Sequence, residues 1–158
     1  ELPNGTLITN IVAKYGLEDF LGKGTALNIN APLTRSAALG CSARLSGAGK
    51  TDEPIAFFTS KGTNLLVKNK QGNATNQEAV YLAMMIYQTR KNVKIDTIQI
   101  RNYAATSNIV GISPVYKKSI QAAFETGVYT NSGMNPNGGI TIKDFLQMVA
   151  NLSAKANL

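Results

Sequence analysis

Histidine and tryptophan are absent from this sequence of 158 residues, and cysteine occurs once, at Cys41. Without histidine the chain cannot build a Ser-His-Asp or Cys-His nucleophile system, and almost every type of zinc site is excluded. A lone cysteine cannot form a disulfide within the chain. We therefore expect a protein that is not an enzyme and that carries no metal ion or cofactor.

Long hydrophobic runs are also lacking. No apolar stretch approaches the roughly 18 residues of a transmembrane helix, so membrane insertion is not expected. No signal peptide is recognisable, and the sequence begins with Glu1 rather than Met. We interpret the chain as a mature or excised piece of a protein, whose own targeting signal would lie outside it.

Acidic residues are few, since 9 Asp and Glu stand against 16 Lys and Arg and leave a net charge of +7. The excess is spread along the chain rather than carried by one tail. A diffuse positive field attracts nucleic acid, anionic membranes and acidic glycans, and it serves equally to keep a surface soluble. No recognition-helix motif accompanies the charge, so we do not expect a nucleic-acid partner.

Motifs typical of enzymes are poor as well. The segment 47–51 is similar to the end of a phosphate-binding loop, but Arg44 stands where that loop requires its first glycine. Glu18 and Asp19 are neighbours in the sequence, whereas a glycosidase needs two carboxylates that face each other across the substrate. These patterns favour a binding protein over a catalyst.

Three threonines, Thr34, Thr75 and Thr141, introduce segments with one common pattern. Threonine is a favourable helix N-cap, and each of the three follows an apolar residue. Apolar or small residues then recur 4, 5, 7, 8 and 11 positions later, which is the spacing of one buried helical stripe. These positions hold Ala38, Leu39, Cys41, Ser42 and Leu45; Ala79, Val80, Leu82, Ala83 and Ile86; and Phe145, Leu146, Met148, Val149 and Leu152.

An earlier apolar segment precedes each threonine and ends at a glycine, namely Gly16, Gly62 or Gly127. Glycine just past a helix end suits the left-handed conformation that often closes a helix. The pattern predicts three repeats of helix, loop and capped helix, folded together into one domain that spans the chain. The units cover approximately residues 1–50, 51–92 and 93–158.

Local signals refine this prediction. Asp52 is expected to cap the first helix of the second unit, and Thr75 with Glu78 forms a complete capping box. The helix that Thr75 begins is the most strongly apolar one, so we expect it to be the most buried. For residues 91–113 we prefer a connection with a short helix near 96–103 over a β-hairpin.

Two of the units contain motifs of a known family. The segments that carry these motifs are Ala122-Ala123-Phe124-Glu125-Thr126-Gly127-Val128, Met134-Asn135-Pro136-Asn137 and Ile140-Thr141-Ile142-Lys143-Asp144 in the third unit, and Asn30-Ala31-Pro32-Leu33-Thr34-Arg35-Ser36-Ala37 in the first. They resemble the S-layer homology (SLH) domain, in which an apolar helix ends in Gly-Ile/Val, a loop contains Asn-Pro, and Ile-Thr-Arg-Ala-Glu opens the next helix. The resemblance covers nearly the whole chain. It implies a mainly α fold, in which three tandem SLH-like helix-loop-helix units form one pseudo-threefold helical bundle.

This resemblance also implies a function. SLH triplets are non-catalytic modules that attach a bacterial surface or S-layer protein to an acidic, pyruvylated secondary cell-wall polysaccharide. The expected setting is extracellular, in the cell wall or S-layer of a Gram-positive-type bacterium, with the chain as a monomeric pseudo-trimer inside a larger surface protein. The alternative is a degenerate SLH scaffold that serves as a protein-protein interaction or assembly module.

The resemblance further implies where the glycan would bind. The family motif places an arginine one residue after the capping threonine, and Arg35 keeps this position after Thr34, whereas the other two units have Asn76 and Ile142 there. A sugar carboxylate favours a guanidinium fork beside a helix N-terminus. The alternative role of Arg35 is a solvated charge in the first helical turn. The candidate glycan-binding residues are Thr34, Arg35, Lys61, Gly62, Thr75, Asn76, Gly127 and Lys143.

Overall fold

The computed structural model describes residues 4–158 of the chain. Its regular structure consists of eight α-helices and two short 3₁₀ helices, and within these residues there are isolated β-bridges but no β-strand. The prediction of a mainly helical protein is therefore confirmed. The α-helices are α1 (Gly5–Tyr15), α2 (Glu18–Leu21), α3 (Arg35–Leu45), α4 (Pro54–Ser60), α5 (Asn76–Lys91), α6 (Ala104–Ser107), α7 (Pro114–Thr126) and α8 (Ile142–Ala156).

The three threonines that the sequence singles out begin α3, α5 and α8. Oγ1 of Thr34, Thr75 and Thr141 accepts a hydrogen bond from the backbone N–H three residues later, at 3.0, 3.3 and 3.2 Å respectively. The predicted capping box is complete, because Glu78 Oε1 accepts the N–H of Thr75 at 2.9 Å. Each cap satisfies backbone donors that the first turn of a helix leaves without a partner.

The predicted glycine ends are confirmed too. Gly16 and Gly127 directly follow α1 and α7, with φ angles of 64° and 81° in the left-handed region. Helix α4 ends at Ser60 with Lys61 as its C-cap, and Gly62 comes next with φ of 74°. Glycine adopts these angles without the steric cost that a side chain would bring, and so each chain turn can follow its helix at once.

The residues just before the three threonines meet and form a closed cycle of backbone hydrogen bonds. The Leu33 N–H donates to the Ile140 carbonyl at 2.9 Å, the Ile140 N–H to the Ala74 carbonyl at 3.2 Å, and the Ala74 N–H to the Leu33 carbonyl at 2.8 Å. All three side chains are buried. We call these three residues the cap junction, because the amino ends of α3, α5 and α8 converge on them.

A second set of backbone hydrogen bonds surrounds the cap junction. In each case the N–H one residue after a capping threonine donates to a carbonyl three residues before another capping threonine. These bonds run from Arg35 to Gly72, from Asn76 to Gly138 and from Ile142 to Ala31, at 2.9, 2.8 and 3.0 Å. Since these peptide groups satisfy one another, the loop before each of the three capped helices is held against the start of another of them.

Helix α5 occupies the middle of the arrangement and packs against α3, α7 and α8. Helix α4 packs on α3, and α1 contacts both α8 and α3. Buried side chains from these helices form a common hydrophobic cluster. In the described residues, no helix combines the length and the apolar character that crossing a membrane requires.

The prediction that α5 is the most buried helix is wrong. Helix α3 buries 9 of its 11 residues, whereas α5 buries 9 of its 16. Small residues explain the difference, because they let neighbouring elements approach α3 from several sides. At Gly40 the ring of Phe20 lies directly against the helix backbone. A pattern of apolar side chains does not predict this kind of burial, because it arises where small residues let neighbouring elements approach the helix backbone.

Gly40→Ala is expected to lower the free energy of unfolding by about 1 to 2 kcal/mol, although alanine is the better helix former. A Cβ atom at this position would lie 2.4 Å from Cε1 of Phe20, so the ring would have to move. Urea unfolding of the two proteins measures the difference. Gly5→Ala is the matched control, because a Cβ placed there meets no atom within 4 Å apart from its chain neighbours and the local helix backbone. Equal stability of both variants would contradict the close packing at Gly40.

The prediction that Asp52 caps α4 is wrong as well. The cap is Glu53, whose Oε2 accepts the N–H of Ile55 at 2.7 Å. Asp52 instead accepts the N–H of Gly49 at 2.7 Å and stabilises the preceding turn. Two adjacent acids can each reach a backbone donor, and the direction of the chain before α4 determines which one caps the helix.

The connection between α5 and α7 contains no β-hairpin, as preferred from the sequence, but the short helix predicted near 96–103 is misplaced. Its helical turns are a 3₁₀ helix at Ile95–Thr97 and helix α6. Glu125 of α7 holds the segment, since its carboxylate accepts the N–H groups of Arg101 and Asn102 at 2.8 and 3.0 Å. These hydrogen bonds to the charged form hold the pKa of Glu125 below its usual value.

Candidate functional site: a groove along helix α5

Arg35 pairs with the capping acid of the neighbouring helix. Its Nε donates to both carboxylate oxygens of Glu78 at 3.1 Å, and its Nη1 donates to the Gln71 carbonyl at 2.9 Å. The two side chains of the ion pair are 23% and 14% exposed. Arg35 is therefore not the freely solvated charge that was one interpretation of the sequence. Its Nη2 has no hydrogen-bond partner within residues 4–158.

Two tyrosines lie next to this ion pair. The rings of Tyr81 and Tyr116 have their centroids 5.4 Å apart, and the Tyr81 hydroxyl donates to the Asn64 carbonyl at 2.8 Å. Burial raises the pKa of both phenols, and the nearby Glu78 carboxylate raises the pKa of Tyr116 further, against the opposing effect of Arg35. Both hydroxyls therefore stay protonated well beyond neutral pH, but the single donor of Tyr81 is used by Asn64, so only the Tyr116 hydroxyl is available as a hydrogen-bond donor.

One face of α5 continues from this ion pair towards the carboxyl end of the helix. Glu78, Tyr81, Met85 and Gln88 follow one another at steps of three or four residues, so they share that face, which extends about 15 Å. The loop after α4 lies on one side and the start of α7 on the other, and together they form a surface cavity of about 280 Å³. We call this face and its two walls the α5 groove.

Two further cavities adjoin the α5 groove at the loop of Gly62 and Thr63. The larger has a volume of about 380 Å³ and lies at the carboxyl end of α5, where Lys61 and Lys94 are among its lining residues. The smaller has a volume of about 260 Å³ and extends along the same loop to Lys68. The three cavities share residues and therefore form one extended concave surface, of the size that ligands occupy.

Lysines dominate the charge of this surface. Lys61, Lys68, Lys94 and Lys118 line the three cavities, whereas Asp96 is the one acidic residue among their described lining residues. A concave surface with such an excess of cations concentrates anions. Its polar groups can bind a ligand through charge-assisted hydrogen bonds, which are stronger than neutral ones.

Two of the lysines are already oriented by the protein. The ammonium group of Lys118 donates to the Ile98 carbonyl at 2.8 Å, and that of Lys61 lies 5.6 Å from the centre of the Phe57 ring. An ammonium group has three donors, so each lysine retains capacity for a ligand. In the part of the chain that the structure describes, no cluster of His, Cys, Asp or Glu residues is suited to hold a metal ion.

The residues predicted to bind a glycan are distributed over several places. Thr34, Arg35 and Thr75 lie at the cap junction and the adjacent ion pair, and Lys61 and Gly62 line the cavity at the other end of the α5 groove. The remaining three candidates lie outside the α5 groove: Asn76 donates through Nδ2 to the Asn135 carbonyl at 2.9 Å, Lys143 is exposed beside Ile29, and Gly127 lies next to Lys155.

Sequence reasoning missed several residues of the groove. Tyr81 and Gln88 form its floor, and Lys94 and Lys118 supply half of its lysines. The helical spacing of Glu78, Tyr81 and Gln88 was a signal for the floor, because it predicts a partly polar face on an otherwise apolar helix. No local signal exists for the lysines, since they come from the connection after α5 and from α7.

Comparison with protein-family models and with curated protein sequences found no match for this chain. The class of protein is therefore described from its own fold and surface. It is a mainly helical protein in which three threonine-capped helices start at a common junction, and in which a lysine-lined groove runs along the central helix.

Proposed function

We propose that this protein is a non-catalytic anchoring module, which binds an acidic, pyruvylated secondary cell-wall polysaccharide and so holds a bacterial surface or S-layer protein to the wall. In this proposal, residues 1–50, 51–92 and 93–158 are three SLH-like units around a pseudo-threefold axis through the cap junction. The two sets of backbone hydrogen bonds support that arrangement, because corresponding positions of the three units make corresponding bonds.

The observation that carries the ligand assignment is the excess of lysines around the α5 groove. A pyruvyl ketal places a carboxylate on a sugar ring, and an ammonium group pairs with it through charge-assisted hydrogen bonds. The groove is extended rather than a closed pocket, so it suits a segment of a polymer. Lys61 and Lys94 both line the largest of the three cavities and are its proposed carboxylate partners.

Arg35 is a second proposed carboxylate partner, and it lies beside the start of α5 rather than in the lining of the three cavities. Its Nε and Nη1 are held by Glu78 and Gln71, which fixes the plane of the guanidinium and leaves Nη2 for a ligand. The capped start of α3 lies beside it, and the positive end of a helix favours an anion. Gly127 and Lys143 belong to neighbouring clefts between units in this proposal.

The proposed setting is extracellular, in the cell wall or S-layer of a Gram-positive-type bacterium. The chain acts there as a monomeric pseudo-trimer within a larger surface protein. Its binding depends on charge, so we expect the affinity for walls to fall as the salt concentration rises.

Co-sedimentation with purified Gram-positive cell walls tests the proposal. The protein is expected to sediment with walls that carry the pyruvylated polymer and to remain in solution once that polymer has been extracted. The double variant Lys61→Gln/Lys94→Gln is expected to bind about tenfold more weakly or worse, because two charge-assisted contacts are lost. The double variant Lys14→Gln/Lys50→Gln removes the same charge outside the groove and is expected to bind like the wild type.

Two outcomes would contradict the anchoring function. One is the absence of wall binding at low salt, and the other is an equal loss of affinity in both double variants, which would mean a non-specific attraction of the positive surface. The first outcome would instead favour a degenerate SLH scaffold that acts in protein assembly. The ion pair between Arg35 and Glu78 is the observation in favour of that second candidate function, because it shows that the arginine has a structural role without any glycan.

A further inference from the structure

A separate cavity lies between α7 and the connection that precedes it. Its volume is about 340 Å³, within the range of about 300 to 1,000 Å³ that small-molecule sites occupy. Lys117 and Gln121 of α7 line it, whereas Val115 and Lys118 on a different face of the same helix line the α5 groove. Because the two cavities use different faces of α7, they are distinct sites.

An exposed tyrosine stands at this cavity. Tyr103 is 58% exposed, which leaves much of its ring outside the hydrophobic cluster. Ile109 and Ile112, which also line the cavity, are only partly buried. An exposed aromatic ring beside partly buried aliphatic groups gains free energy when a ligand with an apolar face covers it.

The polar groups of the cavity have unused hydrogen-bonding capacity. Lys117 and Gln121 are one helical turn apart, and neither side chain has a hydrogen-bond partner within residues 4–158. The Ser107 hydroxyl donates to the Ala104 carbonyl at 3.1 Å and can still accept. No Asp or Glu occurs among the described lining residues, so Lys117 is the single charge of the cavity.

We propose that this cavity binds one sugar residue that carries a carboxylate, with the chemistry of a hexuronic acid. The apolar face of the sugar ring packs on Tyr103, the carboxylate pairs with Lys117, and the Gln121 amide and the Ser107 hydroxyl bind ring hydroxyls. A ligand that is apolar on one face, rich in hydroxyls at its edge and negative at one point matches all of these groups. This site is independent of the wall-anchoring function and of the α5 groove.

Titration of the ¹⁵N-labelled protein with glucuronic acid, followed by ¹H–¹⁵N NMR, tests this inference, with glucose as the uncharged probe. Glucuronic acid is expected to shift the amides of residues 103–112 and 117–121 saturably, and glucose at least about fivefold more weakly. Tyr103→Ala is expected to weaken both sugars. Lys117→Gln is expected to abolish the preference for the acid, and Lys14→Gln, which removes a lysine elsewhere, is expected to preserve it.

Several results would overturn the inference. They are the absence of saturable shifts in these two segments, equal responses to glucuronic acid and glucose in the wild type, and shifts that persist unchanged in both Tyr103→Ala and Lys117→Gln. Shifts that occur only in residues of the α5 groove would also overturn it. They would leave the proposed wall-anchoring function intact, so the two proposals can fail separately.

Discussion

Replacement of Leu33 by alanine is expected to lower the free energy of unfolding by about 3 kcal/mol. Leu33 is fully buried, and its backbone N–H and carbonyl both belong to the cycle that joins the starts of α3, α5 and α8. The smaller side chain leaves a cavity at the point where these elements meet. The cycle holds both peptide groups of residue 33, so the backbone cannot easily collapse into that cavity. The expected loss of unfolding free energy is therefore in the middle or upper part of the range for buried leucine-to-alanine substitutions.

The matched control for this prediction is Leu66→Ala, the same chemical change at a position that is 40% exposed. Its expected cost is below about 1 kcal/mol, because less apolar surface returns to water and no closed cavity forms. Urea or thermal unfolding followed by circular dichroism measures both variants. If Leu33→Ala cost no more than Leu66→Ala, the cap junction would not be the packed centre that the three helices share.

Glu78→Ala is expected to lower the free energy of unfolding by about 2 to 3 kcal/mol. The carboxylate accepts hydrogen bonds from the Thr75 N–H and from Arg35 Nε, and it lies in a largely buried position. Its removal opens the capping box of α5. It also leaves the Arg35 guanidinium without its counter-ion beside the positive end of α3, which is an unfavourable place for a cation.

Two other substitutions separate these contributions. Glu78→Gln retains an acceptor for the Thr75 N–H but removes the negative charge, so its expected cost is intermediate. Lys70→Ala breaks the ion pair of Lys70 with Glu53, whose two side chains are both exposed, and is expected to cost less than about 1 kcal/mol. A loss in Glu78→Ala as small as that of Lys70→Ala, measured by urea unfolding, would show that the Arg35 pair is no more than a surface contact.

Helix starts and helix ends could be predicted because neighbours in the sequence determine them. Thr75 and Glu78 are three residues apart, so their capping box forms from the local chain alone, and Gly127 closes α7 because glycine accepts a positive φ. Local reasoning failed where two neighbours competed for one role. Asp52 and Glu53 can both cap a helix, and only the direction of the preceding turn selects Glu53.

The site was harder to predict because it depends on contacts between distant residues. Arg35 and Glu78 are 43 residues apart, and nothing in the local pattern around either one indicates the pair. The wall of the α5 groove that carries Lys118 comes from α7, and its position depends on how α7 packs against α5. Sequence spacing orders side chains along one helix, but it does not specify which helices become neighbours.

The sequence by itself determined that the chain is mainly helical, where the three threonine-capped helices begin, and where glycines close the helices α1, α4 and α7 that precede them. These features depend on hydrogen bonds and dihedral angles within a few residues. Only the tertiary structure decided that the three capped starts meet in a cycle, that α3 rather than α5 is the most buried helix, and that lysines from separate segments line one groove. Those outcomes depend on packing between elements that are far apart in the chain. The effect of a side chain's volume or charge there depends on which residues it contacts, and its position in the sequence does not specify those contacts.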